Sequence, residues 1–142
     1  MDTGLKSLRA RLDTSGRFVL GVELASVRGG MSERSAVRAR PFAGELVASP
    51  DVDWVSITDN AGGNPQLAPT ALGKPILYAG KEVVIHLTCK DLNRNALESA
   101  EWLLHSEGFH NILATRASST SCSPTWRRTG WATRRSSATS TS

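Results

Sequence analysis

The sequence predicts an α/β protein, a partial (β/α)8 TIM barrel made of about the first three to four βα units, followed by a disordered C-terminal tail. Three observations carry this. The segments FVLGVEL, DWVSITD and EVVIHLTC are strand-like, and each ends on or just before a polar side chain suited to chemistry: Glu23, Thr58 and His86. They recur at roughly 30-residue spacing with loops and helical stretches between them, the rhythm of parallel strands joined by crossovers. The composition then changes abruptly after Ala114. A closed eight-stranded barrel takes about 250 residues, so a chain of 142 residues holds about half of one.

Each element has its own justification. Residues 3–14 read as a short amphipathic helix, because Leu5, Leu8 and Leu12 recur at helical spacing with Arg and Lys between them, and Gly16 ends it. Residues 18–24 are a near-continuous apolar run, as expected of a parallel strand covered on both faces. The glycines of SVRGGMSE mark a loop, after which a helix starts near Glu33, is interrupted at Pro41 and resumes to Ala48. A second strand, 54–58, leads into the turn-rich DNAGGNPQLAP. A short helix is expected over 67–72, with Gly73, Pro75 and Gly80 breaking up the stretch before the next strand. The third strand, 83–88, is the clearest. Its loop CKDLN opens a helix over 93–107 with Leu97, Ala100, Leu103 and Leu104 on one face and Gly108 as its stop. Residues 111–114 begin a fourth strand.

Period-two alternation divides these strands into two faces. One carries Phe18, Leu20, Val22 and Leu24, then Val55 and Ile57, and Val83, Ile85 and Leu87, all apolar and suited to helix packing. The other carries Gly21 and Glu23, then Trp54, Ser56 and Thr58, then Val84, His86 and Thr88. If this second face is a barrel interior, the three polar tips converge on one mouth, at the carboxyl ends of the strands where barrel enzymes keep their chemistry.

Charge divides the chain too. Net charge is +4, yet residues 1–114 hold 12 Lys and Arg against 13 Asp and Glu, whereas residues 115–142 hold five Arg and no acid. The basicity belongs to the tail, so the body is not expected to bind nucleic acid. Cys89 and Cys122 lie far apart without metal-ligand spacing, and no metal is predicted. A disulfide-free chain with no signal-like start and no apolar run approaching ~18 residues predicts a cytoplasmic protein with no membrane association.

Residues 115–142 contain no Leu, Ile, Val, Asp or Glu and keep neither structural period. Such a segment cannot bury enough apolar area to offset its ordering entropy, so it is expected to be disordered. Because the change falls in mid-strand, the expectation is an out-of-frame reading from about residue 115 of a gene whose correct frame completes the barrel, with 1–114 the amino-terminal part. The alternative is a non-catalytic protein whose Arg, Ser, Trp126 and Trp131 tail binds nucleic acid or an acidic surface. A further alternative keeps the barrel and changes the substrate.

VELASVRGG, VSITDNAGGNP, VIHLTCKDLNRNALES and HNILA, in this order, resemble the methylenetetrahydrofolate reductase family over about residues 18–114, with the third segment the most specific. The resemblance implies a (β/α) barrel flavoprotein in which NAD(P)H reduces FAD and the flavin reduces 5,10-methylenetetrahydrofolate to 5-methyltetrahydrofolate. The cofactor supplies the hydride chemistry and the protein positions it and manages protons. It implies that Glu23 is the general acid toward the folate and that Thr58 and His86 contact the flavin.

Taken alone, the residues leave these roles open. A carboxyl flanked by Val22 and Leu24 can be kept protonated by desolvation, but a strand-end glutamate can equally meet solvent or Arg28. Thr58 is also an ordinary β-branched strand residue, Asp59 and Asn60 are good turn formers, and a histidine in an apolar strand is commonly a satisfied core residue. Glycines at 62 and 63 would let a bulky ligand approach the backbone. Two departures stand out. Family members often carry prolines just after this glutamate, where this chain has Ala25, Ser26 and Val27, and the Gly-Asp pair expected after the fourth strand falls on Ala117 and Ser118. The chain is therefore expected to be inactive, to bind FAD weakly or not at all, and to self-associate through an open strand edge at 111–114.

Overall fold

The computed structural model describes residues 8–14, 16–90 and 92–115. The order is α1 (Leu8–Thr14), β1 (Gly21–Leu24), α2 (Arg34–Ala48), β2 (Trp54–Ile57), a 3-10 turn (Ala61–Gly63), α3 (Pro69–Tyr78), β3 (Glu82–Thr88), α4 (Arg94–Ser106) and β4 (Asn111–Thr115). The strands form one sheet in the order β1-β2-β3-β4, and every pair is parallel. Val22, Val55 and Val83 share one row, and Leu24, Ile57, Ile85 and Ile112 another. The pairing also slides along the strands. β3 meets β2 through Glu82 to Ile85 and meets β4 through Val84 to Thr88.

One face of the sheet is covered by helices. Leu24, Val55, Ile57, Val83 and Ile85 pack into a single core with Ala43 and Leu46 of α2, Leu72 and Ile76 of α3, Leu104 of α4 and Phe109. In β3 the alternation is complete: Val83, Ile85 and Leu87 are buried, while Val84, His86 and Thr88 are half-buried. The two faces inferred from period-two alternation are the two faces found. The expected tail lies outside the described residues.

Two helices ignore sequence signals that should stop them. α2 is continuous through Pro41, and α3 runs through both Gly73 and Pro75 rather than ending at 72. Proline in a helix interior removes one hydrogen bond and crowds the preceding turn, but Leu72 and Ile76 on either side of Pro75 are 2% and 1% exposed. Burial of these side chains, about 1.5–3 kcal/mol each, outweighs the local cost. Gly73 has its own reason to be there. A Cβ at this position would sit 3.0 Å from the Phe109 ring and 3.2 Å from Ile85 Cδ1, so the missing side chain lets α3 lie close on β3. α4 begins as the sequence suggests, with the Asn93 side chain accepting from the Ala96 amide at 2.9 Å.

β1 is shorter than the apolar run 18–24 because the chain before it is held differently. Asp53, buried just ahead of β2, accepts from the Leu20 amide at 3.0 Å, while its own amide donates to the Leu20 carbonyl at 2.8 Å. Both Arg17 and Arg11 pair with the same carboxylate. The Arg17 hydrogen bond, the Leu20 amide and the two positive charges hold the Asp53 carboxyl below the usual carboxylate range. Nearby, Lys81 donates to the carbonyls of Ser49 and Val52 at 2.8 and 2.7 Å, and the Trp54 indole lies where a side chain at Gly21 would stand. The amino ends of the strands are thus tied by polar contacts and one aromatic lid. On the helix side, the Lys74 ammonium meets Glu107 at 2.6 Å, which raises the lysine above its ordinary value.

Candidate functional site

Glu23, Thr58 and His86 sit together at the carboxyl ends of β1, β2 and β3, on the face opposite α2, α3 and α4. In register, Glu23 lies beside Ser56, and Ser56 beside Val84. One alternation step further, the same register carries Thr58 beside His86, whose other neighbour is Leu113. Glu23 and His86 are therefore two strands apart and offset by two residues along the strand, about 12 Å between backbone positions. That span suits two ends of a ligand better than a direct contact between the side chains.

Their surroundings differ. Glu23 is exposed, so the desolvation expected from Val22 and Leu24 does not reach it. In a pleated strand those neighbours point to the opposite face, toward the helices. Thr58 is buried, and its Oγ1 accepts from the Ser26 amide at 2.8 Å, leaving the hydroxyl proton and one lone pair to offer elsewhere. His86 is half-buried among strand neighbours, its ring on the open face.

Two residues that the sequence did not mark as important hold this end of the sheet. Ser26, itself buried, donates its hydroxyl to the Leu67 carbonyl and its amide to Thr58, fixing the loop after Glu23 to β2 and to the segment before α3. Proline has no amide hydrogen and cannot make the bond to Thr58, which gives a local reason for Ser at 26 in place of a proline. Asp59 accepts from the Thr88 amide at 2.8 Å, and its carbonyl accepts from the Thr88 hydroxyl at 2.7 Å. Thr88 in turn contacts the Thr115 hydroxyl at 3.3 Å, so the ends of β2, β3 and β4 are laced together. None of these bonds is local in sequence, so no motif could have shown them.

The loop after β2 is a folded turn. Asn60 adopts the left-handed conformation, its side chain accepts from the Gln66 amide at 2.8 Å, and Gln66 accepts from the Ala61 amide at 3.1 Å. Gly63 has φ +75°, and a Cβ there would fall 2.6 Å from the Lys90 ammonium. The glycine at 63 thus serves the turn and the approach of Lys90. A surface groove of about 690 Å3 runs between the loops after β1 and β2, lined by Arg28, Glu33, Gln66 and Leu67 among others. Glu23, Thr58 and His86 are not in its wall.

The open face is not enclosed by the described residues. Well-formed ligand sites bury most of the ligand surface, whereas the open face offers one wall, with Glu23 exposed and Leu113 48% exposed at its far edge. Among the described residues, no group of three or more His, Cys, Asp and Glu is placed to hold a metal, and no helix is long and apolar enough to cross a membrane. No family model matches the chain, and no curated protein or solved structure matches it.

Proposed function

We propose that residues 1–114 are the amino-terminal half of a flavin-dependent (β/α)8 reductase barrel resembling the methylenetetrahydrofolate reductases. The parent activity is reduction of a methylene-folate by NAD(P)H through FAD, in the cytoplasm. The observation that carries the proposal is the joint placement of Glu23, Thr58 and His86 at the carboxyl ends of three adjacent parallel strands, on the face opposite α2, α3 and α4.

Two features favour a barrel over a doubly wound sheet. A doubly wound sheet reverses its strand order and takes helices on both faces, whereas these strands run in sequence order with α2, α3 and α4 on one side. The pairing of β3 also slides by two residues between its two edges, and stagger of this kind accompanies closure. In the completed barrel, Glu23 protonates the folate, the Thr58 hydroxyl donates to the flavin ring system, and His86 lines the flavin site. The present chain is inactive because the Gly-Asp pair expected after the fourth strand is replaced by Ala117 and Ser118.

The test is a titration of the purified chain with FAD, followed by absorbance and by oxidation of NADH or NADPH. The expected result is no stoichiometric flavin and no turnover with this chain. A chain completed in the corrected frame is expected to bind FAD and to lose at least ~100-fold in folate reduction on Glu23→Gln, within the usual range for a general acid. Tight flavin binding and turnover by the present chain would refute its assignment as an inactive half.

A further inference from the structure

We infer that two copies of this chain close one eight-stranded barrel about a two-fold axis, with β4 of each copy pairing in parallel with β1 of the other. The inference rests on the barrel reading above, but not on the flavin or folate chemistry.

Both edges of the sheet are open in a way that demands a strand. Among the described residues β1 pairs only with β2 and β4 only with β3, so within that set the outer side of each has no partner strand. Apolar side chains stand exposed beside both: Phe18 (84%) and Leu20 (38%) in the segment just before β1, Ile112 (39%) and Leu113 (48%) in β4. Ile112 is the most telling. Its row neighbours Leu24, Ile57 and Ile85 are all buried, so the row is apolar throughout and uncovered only at its end.

The occupant follows from direction, count and composition. Because the sheet is all parallel, the strand that β4 accepts must run in its own direction, and the outer edge of β1 offers that direction when the copy is turned about an axis parallel to the strands. Four strands from the described residues of each copy give eight, the number that closes a (β/α)8 barrel. The contact is symmetric and saturates at two copies, since both edges of both copies are then used. The chain's own remaining residues are poor candidates for the vacancy. The 27 residues after Thr115 contain no Leu, Ile or Val to extend the apolar row beyond Ile112. Closure would also enclose the open face, bringing two sets of Glu23, Thr58 and His86 to one mouth.

The test is the molar mass of the full 142-residue chain by light scattering across a concentration series, with Leu113→Lys and Leu20→Lys as edge variants. Both side chains are already exposed, so each lysine can reach water without disturbing the fold, and circular dichroism checks that it has not. The expected result is a dimer near twice 15.2 kDa that either substitution weakens at least tenfold. A monomer, or a series of oligomers that does not stop at two, would overturn the proposal. A dimer lost with Leu113→Lys but kept with Leu20→Lys would mean that β4 pairs with β4, and a dimer untouched by both would place the contact elsewhere; either overturns closure. A monomer that dimerises only when residues 116–142 are deleted would make the tail the occupant and overturn it as well. Failure of flavin binding moves none of these readouts.

Discussion

Gly73 and Asp53 fix the two sides of the sheet at single residues. Gly73→Ala puts a methyl 3.0 Å from Phe109, which is 1% exposed and cannot retreat into solvent, so a loss of about 1–3 kcal/mol is expected in urea denaturation although alanine is the better helix former. Asp53 makes stability depend on acid. Its folded carboxyl titrates below the unfolded value of about 3.9, so the stabilisation is fully present above that pH and is lost as pH falls through the folded pKa. Asp53→Asn is expected to flatten the acid limb of the stability–pH curve, and an unchanged limb would show that Arg11 and Arg17 contribute nothing there. At this scale the sequence was informative about placement and silent about partners. Period-two alternation put Glu23, Thr58 and His86 on one face, but the Ser26 amide that binds Thr58 comes from 32 residues away and leaves no local trace.

At the scale of elements, glycine and proline misled where tertiary burial was strong. Pro75 marked a break, yet α3 continues because Leu72 and Ile76 are needed in the core beneath β2 and β3. Pro75 itself is exposed, so Pro75→Ala restores a helix amide without opening a cavity. Thermal unfolding is expected to report a gain of roughly 1 kcal/mol or more, part of the ~3 kcal/mol that proline costs in a helix interior. Loss of stability would mean that the ring packs in a way its exposure does not suggest. Strand 83–88 and helix 93–107 were legible to within a residue or two because each has one strong period and α4 has an Asn cap. The first strand was overestimated, since an apolar run cannot reveal that Leu20 is held by the side chain of Asp53.

For the whole molecule, sequence order and strand spacing predicted a parallel α/β sheet, and that is the fold observed. From the resemblance we propose a flavin-dependent reductase whose second half is missing after Ala114. It accounts for an apolar row that ends uncovered at Ile112, for polar tips on an unroofed face, and for a composition that loses Leu, Ile, Val, Asp and Glu together. The most direct measurement is to sequence the coding DNA across codons 105 to 142 and beyond and translate all three frames. The account predicts that another frame carries NILA into a Gly-Asp strand end and several further strand and helix units. Early stops in both other frames would contradict it, and the arginine-rich tail would then have to be explained as part of the protein's own function.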